Sequence, residues 1–148
     1  MRKITFWYLM IFPSFVNAFC FDEAGQYYNV DPKLLKAIAM VESSLNPHAY
    51  NENLNDRGDV VSRDYGLMQI NSSWFNRLVQ FDVNEQTVYE PCFNVFLGAW
   101  VLSSNFSTHG YNWNSVGAYN AGFSKSKEQA RQVYIRKVKR YYYDYSSQ

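Results

Sequence analysis

The chain has 148 residues, 47% of them hydrophobic, 18% charged and 19% aromatic, with a formal net charge of +1. That length suits one domain with a core of its own, and the near balance of charge argues neither for nor against a polymeric partner. Two Cys and two His, scattered without ligand spacing, do not support a metal centre.

Arg2 and Lys3 precede an apolar run over residues 4–16, followed by Val16-Asn17-Ala18. This pattern predicts a secretory signal peptide over residues 1–18, with a retained anchor as the alternative. No later stretch is long and apolar enough to span a bilayer. Cleavage after Ala18 would take the 14 basic residues to 12, against 13 acidic ones. In an exported chain the pair Cys20 and Cys92 points to a disulfide, two free thiols being the alternative. Such a bridge would close a loop of roughly 70 residues, which loop entropy values at about 4 kcal/mol.

A short helix is predicted from Phe21 to Tyr28. Asp31-Pro32 is an N-cap and first-turn pair for a second helix reaching about Ser44, ended by Asn46-Pro47. Along it Leu34, Leu35, Ile38, Ala39, Val41 and Leu45 share one broad arc. Glu42 falls inside that arc, where an amphipathic helix buries its apolar face. Burial and the negative end of the helix dipole both favour the protonated acid, the form needed for general-acid catalysis. The competing reading is a last-turn Glu bent out to solvent.

Residues 48–64 are polar and rich in Asn and Asp; Asp56-Arg57-Gly58 reads as a turn and Asp59-Val60-Val61 as a strand, predicting a small β-hairpin, a loop being the alternative. Helical segments then follow over about 73–79, 84–88, 91–106 and 113–119, with a last helix over about 127–143. The architecture is mainly α, without internal repeats or a domain boundary. Thirteen Tyr, with apolar rings and polar tips, suit an aromatic-lined cleft that stacks on and hydrogen-bonds carbohydrate. Lys125, Lys127, Arg131, Arg136, Lys137, Lys139 and Arg140 crowd the C-terminal region against Glu128, either as a surface for an anionic partner or as a solvated helix face.

Four segments in order, ESSLNP (42–47), YGLMQIN (65–71), GAYNAG (117–122) and VYIRKV (133–138), resemble the soluble lytic transglycosylase family, over nearly the whole chain after residue 18. The resemblance implies a lysozyme-like fold of the goose-type kind over residues 19–148, with a small hairpin between the catalytic helix and the GLMQ motif. It matches Glu42 to the single catalytic acid/base and Ser43 to its partner in the ES motif. Gly66, Met68 and Gln69 match the cleft floor, Tyr119 and Asn120 residues that face the reacting sugar, and Tyr134 the late tyrosine that hydrogen-bonds near the acid.

The implied substrate is peptidoglycan, cleaved between N-acetylmuramic acid and N-acetylglucosamine to leave a 1,6-anhydro end in the periplasm. No cofactor, metal or nucleic acid is implied. Short chains with a Cys pair resemble the specialised members that accompany secretion, conjugation or pilus machines. One departure is the acidic run Asp56, Asp59, Asp64. Animal-type lysozymes carry a second carboxylate on a hairpin after the Glu helix, so Asp59 is the first candidate for that part, Asp56 and Asp64 follow, and solvated turn residues are the alternative. With it the chain would read as a hydrolytic muramidase; a non-catalytic wall-binding assembly factor is the third reading.

Overall fold

The computed structural model describes residues 19–147; the expected signal peptide lies outside them. Helix α1 is Phe21–Tyr28 and α2 is Pro32–Ser43. The carboxylate of Asp31 accepts from the Lys33 amide at 2.8 Å, Pro32 opens the first turn, and Ser44 ends the helix in the left-handed region at φ 54°. These are the N-cap and C-cap chemistries that orphan helix ends need.

The chain then forms a three-stranded antiparallel sheet in the order β1 (Tyr50–Leu54), β2 (Val60–Tyr65), β3 (Ile70–Asn71). The expected hairpin is present, with a bulge at Asn53/Leu54, and the end of YGLMQIN adds a third strand through Asp64↔Asn71 and Tyr65↔Ile70. Residues two apart on a strand share a face. One face of the sheet therefore carries Asn51, Asn53, Ser62, Asp64 and Asn71, and the other carries Tyr50, Glu52, Arg63 and Tyr65.

A short helix α3 (Phe75–Leu78) lies between 3₁₀ turns and leads to α4 (Pro91–His109). Glu90 caps α4 by accepting from the Phe93 amide at 2.7 Å. Helix α4 buries residues on most sides, among them Val95, Leu97, Ala99 and Leu102, as a central helix must. Helices α5 (Trp113–Ala121) and α6 (Glu128–Ser146) follow. Helix α6 packs on both α2 and α5, while α1 and α5 pack on α4. Leu35, Ile38, Leu67, Leu78, Leu102 and Val138 are wholly buried in the core between them.

Cys20 and Cys92 form a disulfide, with Cα atoms 5.2 Å apart, that ties the start of α1 to the start of α4. Among the described residues no helix is long and apolar enough to cross a membrane.

Candidate active site

The last turn of α2 brings Glu42 to the base of a groove. Leu35 and Ile38, on its own helix face, are both fully buried, and the carboxyl follows them inward. Its Oε1 accepts from the Tyr134 hydroxyl at 2.5 Å. Burial pushes the Glu42 pKa up from an ordinary 4.5 to about 7. The Tyr134 hydrogen bond pulls the other way, Asp64 raises it through its negative charge, and Lys137 lowers it. A carboxyl poised near neutrality can give a proton and take one back. Tyr134 is itself buried and its pKa is raised well above the ordinary 10.0, through burial first and then the neighbouring Glu42 charge. Its hydroxyl therefore stays a donor.

The groove has two lobes meeting at Glu42 and Asn120. The first, of about 420 Å³, lies between the sheet and α5; Ile70, Trp74 and Val101 give it an apolar wall, and Asn53, Asp64, Gln69 and Asn71 a polar one. The second, of about 590 Å³, runs along α6. Aromatic and apolar walls with a few convergent polar groups suit a saccharide chain.

The segment beneath the first lobe is held by groups remote in sequence. Asn94 on α4 is fully buried. Its Oδ1 accepts from the Met68 amide at 2.7 Å, and its Nδ2 donates to the carbonyls of Tyr65 (2.9 Å) and Val88 (2.7 Å). Gly66 sits at φ 74°, and a Cβ there would lie 2.6 Å from Asn94 Nδ2, so only glycine lets the turn close on the amide. The Tyr119 hydroxyl donates to the Met68 carbonyl at 2.8 Å. Ser43 Oγ lies 2.8 Å from the Leu67 carbonyl and 3.1 Å from that of Ala39. Its one proton joins the end of α2 to the same segment.

The expected site residues thus divide. Glu42, Gln69, Tyr119 and Asn120 line the groove, as does Tyr134 in the second lobe. Gln69, left-handed at φ 48°, donates from Nε2 to the Gly66 carbonyl at 3.0 Å and keeps its Oε1. Ser43, Gly66 and Met68 do not line it. The Ser43 proton is used within the fold, and the Met68 side chain is wholly buried, packed where Gly98 leaves room for it. These three residues lie beneath the groove rather than on its lining.

Asp59 does not line the groove either. It lies at the hairpin turn, 65% exposed, paired with Arg57 at 3.5 Å and accepting from Asn55 Nδ2 at 3.0 Å. The hairpin carboxylate that lines the groove is Asp64. Its oxygens accept from the side-chain amides of Asn71 (2.7 Å), Asn53 (2.8 Å) and Asn51 (3.3 Å). Strand alternation at Ser62 and Asp64, just before YGLMQIN, is the sequence signal for it. The signal for Asn94 is an amide among apolar neighbours on α4. Among the described residues no group of three or more His, Cys, Asp or Glu is placed to hold a metal ion.

Among the described residues, six helices, a small sheet beside the groove and the half-buried Glu42 carboxyl where the two lobes meet define a lysozyme-like domain. The chain belongs to the transglycosylase SLT domain family, whose profile matches residues 19–142. It is 38% identical to the protein IpgF of Shigella flexneri over 143 residues, covering 96% of this chain and 91% of that protein. It is also 38% identical to the invasion protein IagB of Salmonella typhimurium over 136 residues, covering 91% and 81%. Lytic transglycosylase Slt of Pseudomonas aeruginosa, solved as an inactive mutant, superposes with a TM-score of 0.66 over 89% of this chain. At 19% identity that likeness shows the fold, and this chain spans 24% of that longer one.

Proposed function

We propose that this protein is a peptidoglycan lytic transglycosylase of the periplasm. The observation that carries the reading is Glu42: one carboxyl, raised to about 7, held by Tyr134 at the waist of a sugar-sized groove. Protonated Glu42 donates to the glycosidic oxygen between N-acetylmuramic acid and N-acetylglucosamine, and the bond from C1 to that oxygen breaks. The muramyl ring passes through an oxocarbenium-like state, its N-acetyl carbonyl oxygen bracing C1. Glu42, now ionised, takes the proton of the same sugar's C6 hydroxyl, and that oxygen closes on C1. The product is a 1,6-anhydro end, and Glu42 leaves the cycle protonated as it began.

Gln69 Oε1 and Asn120, both on the groove wall, are the groups to orient the acetamido arm. Tyr119 acts mainly by holding the Met68 carbonyl beneath them. In this reading Asp64 takes no proton: three amides hold it, and its charge raises the Glu42 pKa and favours the cationic ring.

That same carboxylate favours the second reading, a hydrolytic muramidase in which Asp64 stabilises the cation while water attacks. Mass spectrometry of digested peptidoglycan decides between them, because anhydro products are lighter than hydrolysis products by one water. Hydrolysis products alone would overturn the first reading. Unchanged wall binding and no cleavage by either wild type or Glu42→Gln would leave a binding factor instead. The name of the Salmonella relative, an invasion protein, supports service to an envelope-crossing machine that needs local opening of the wall.

A further inference from the structure

The two lobes of the groove differ in charge. The first presents the amides of Asn53, Gln69 and Asn71 and the carboxylate of Asp64, and no cation. The second presents Lys127 and Lys137 with Ser126 and Gln129. Glu42 stands between them, within reach of both fields, since Asp64 raises its pKa and Lys137 lowers it.

Two of the C-terminal cations are engaged within the fold. Arg131 is buried, paired with Glu128, and donates to the carbonyls of Gly122 and Ser124, each at 2.8 Å, and Lys139 lies over the Trp113 ring at 4.8 Å. Lys127 and Lys137 are exposed and enter none of the ion pairs among the described residues. Two ammonium groups on one wall of a catalytic groove, within ion-pair distance of no acid among the described residues, are placed to meet anionic groups on the bound chain. A neutral N-acetylglucosamine unit offers none. A muramyl unit offers its lactyl carboxylate, or the carboxylates of a peptide stem attached to it.

We propose that Lys127 and Lys137 make the α6 lobe a carboxylate-reading site, so that the enzyme selects strands by the anionic side arm of the muramyl unit. The inference rests on the transglycosylase reading above.

Three substrates test it: stem-bearing strands, strands denuded by an amidase that leaves the lactyl carboxylate, and denuded strands whose lactyl group is converted to an amide. Cleavage is followed by chromatography for wild type, the double variant Lys127→Gln/Lys137→Gln, and the charge-keeping double variant Lys127→Arg/Lys137→Arg. The Gln pair is expected to lose about tenfold in kcat/KM on charged strands relative to the amidated ones, chiefly through KM, with rescue by the Arg pair. Loss on stem-bearing strands alone assigns the stem carboxylates, loss on denuded strands alone assigns the lactyl carboxylate, and loss on both assigns a site that takes either. Any effect of Lys137→Gln on Glu42 acidity acts on all three substrates and cancels in the ratio. An equal loss on all three, or no loss, overturns the inference. A wild type that cleaves none of them defeats the transglycosylase reading itself, and this inference with it.

Discussion

The Tyr134 hydroxyl and Glu42 Oε1, 92 residues apart in sequence, meet at 2.5 Å. The bond favours the ionised carboxyl, against the burial that favours the acid. Removing the donor by Tyr134→Phe therefore raises the Glu42 pKa further. The descending limb of the pH–rate profile is expected to move to higher pH, while kcat falls by about tenfold to a hundredfold as the acid loses its orientation. A limb that moves to lower pH would contradict the assignment.

Glu42→Gln is expected to abolish wall cleavage, by at least about a thousandfold, while the protein stays folded. It should also change how stability depends on pH. Between pH 4.5 and about 7 the folded chain holds a proton at Glu42 that the unfolded chain has released, so wild-type stability falls as pH rises through that window. The contribution, present in full below 4.5, amounts to about 3 kcal/mol. Denaturant melts at pH 4 and pH 8 should show the Gln variant gaining on wild type by up to that amount.

Asp64→Asn removes a charge that raises the Glu42 pKa. The descending limb of the rate profile should move to lower pH, the opposite of the Tyr134→Phe shift, with the 1,6-anhydro product retained in the mass spectrum. Asp59→Asn, at the exposed turn, should leave rate, product and pH profile unchanged.

Asn94→Ala strips partners from the Met68 amide and the carbonyls of Tyr65 and Val88 at once. Buried groups left unpaired destabilise strongly, so chemical denaturation should show a loss of about 3 kcal/mol or more. Gly66→Ala, whose Cβ would strike the same amide, should cost a similar amount.

Reduction of the disulfide, or Cys20→Ser with Cys92→Ser, releases a loop spanning a separation of 72 residues. The midpoint of denaturation should fall by the equivalent of about 4 kcal/mol, which comparing oxidised and reduced protein will check.

Much of this molecule is local, and so it could be read from sequence. Asp31-Pro32 and Pro91 open helices where N-cap and first-turn chemistry require them. The 3.6-residue period of Leu35 and Ile38 already places Glu42 on a buried face, and residues 59–61 read as a strand. What spacing along the chain could not decide was which groups meet. Asp59 and Asp64 are both hairpin acids after the Glu helix. Strand register alone sets one at the turn and the other, with Asn53 and Asn71, on the groove face. Ser43 and Met68 belong to the motif, yet the packing of α2 and α4 turns them to the support of the groove. Tyr134 reaches Glu42, and Asn94 reaches the Tyr65–Met68 turn, because α6 packs on α2 and α4 runs through the core. The sequence by itself determined the acid and its helix. Tertiary packing decided its hydrogen-bond donor, its neighbouring charges and hence its pKa, because desolvation and Coulomb forces act through space.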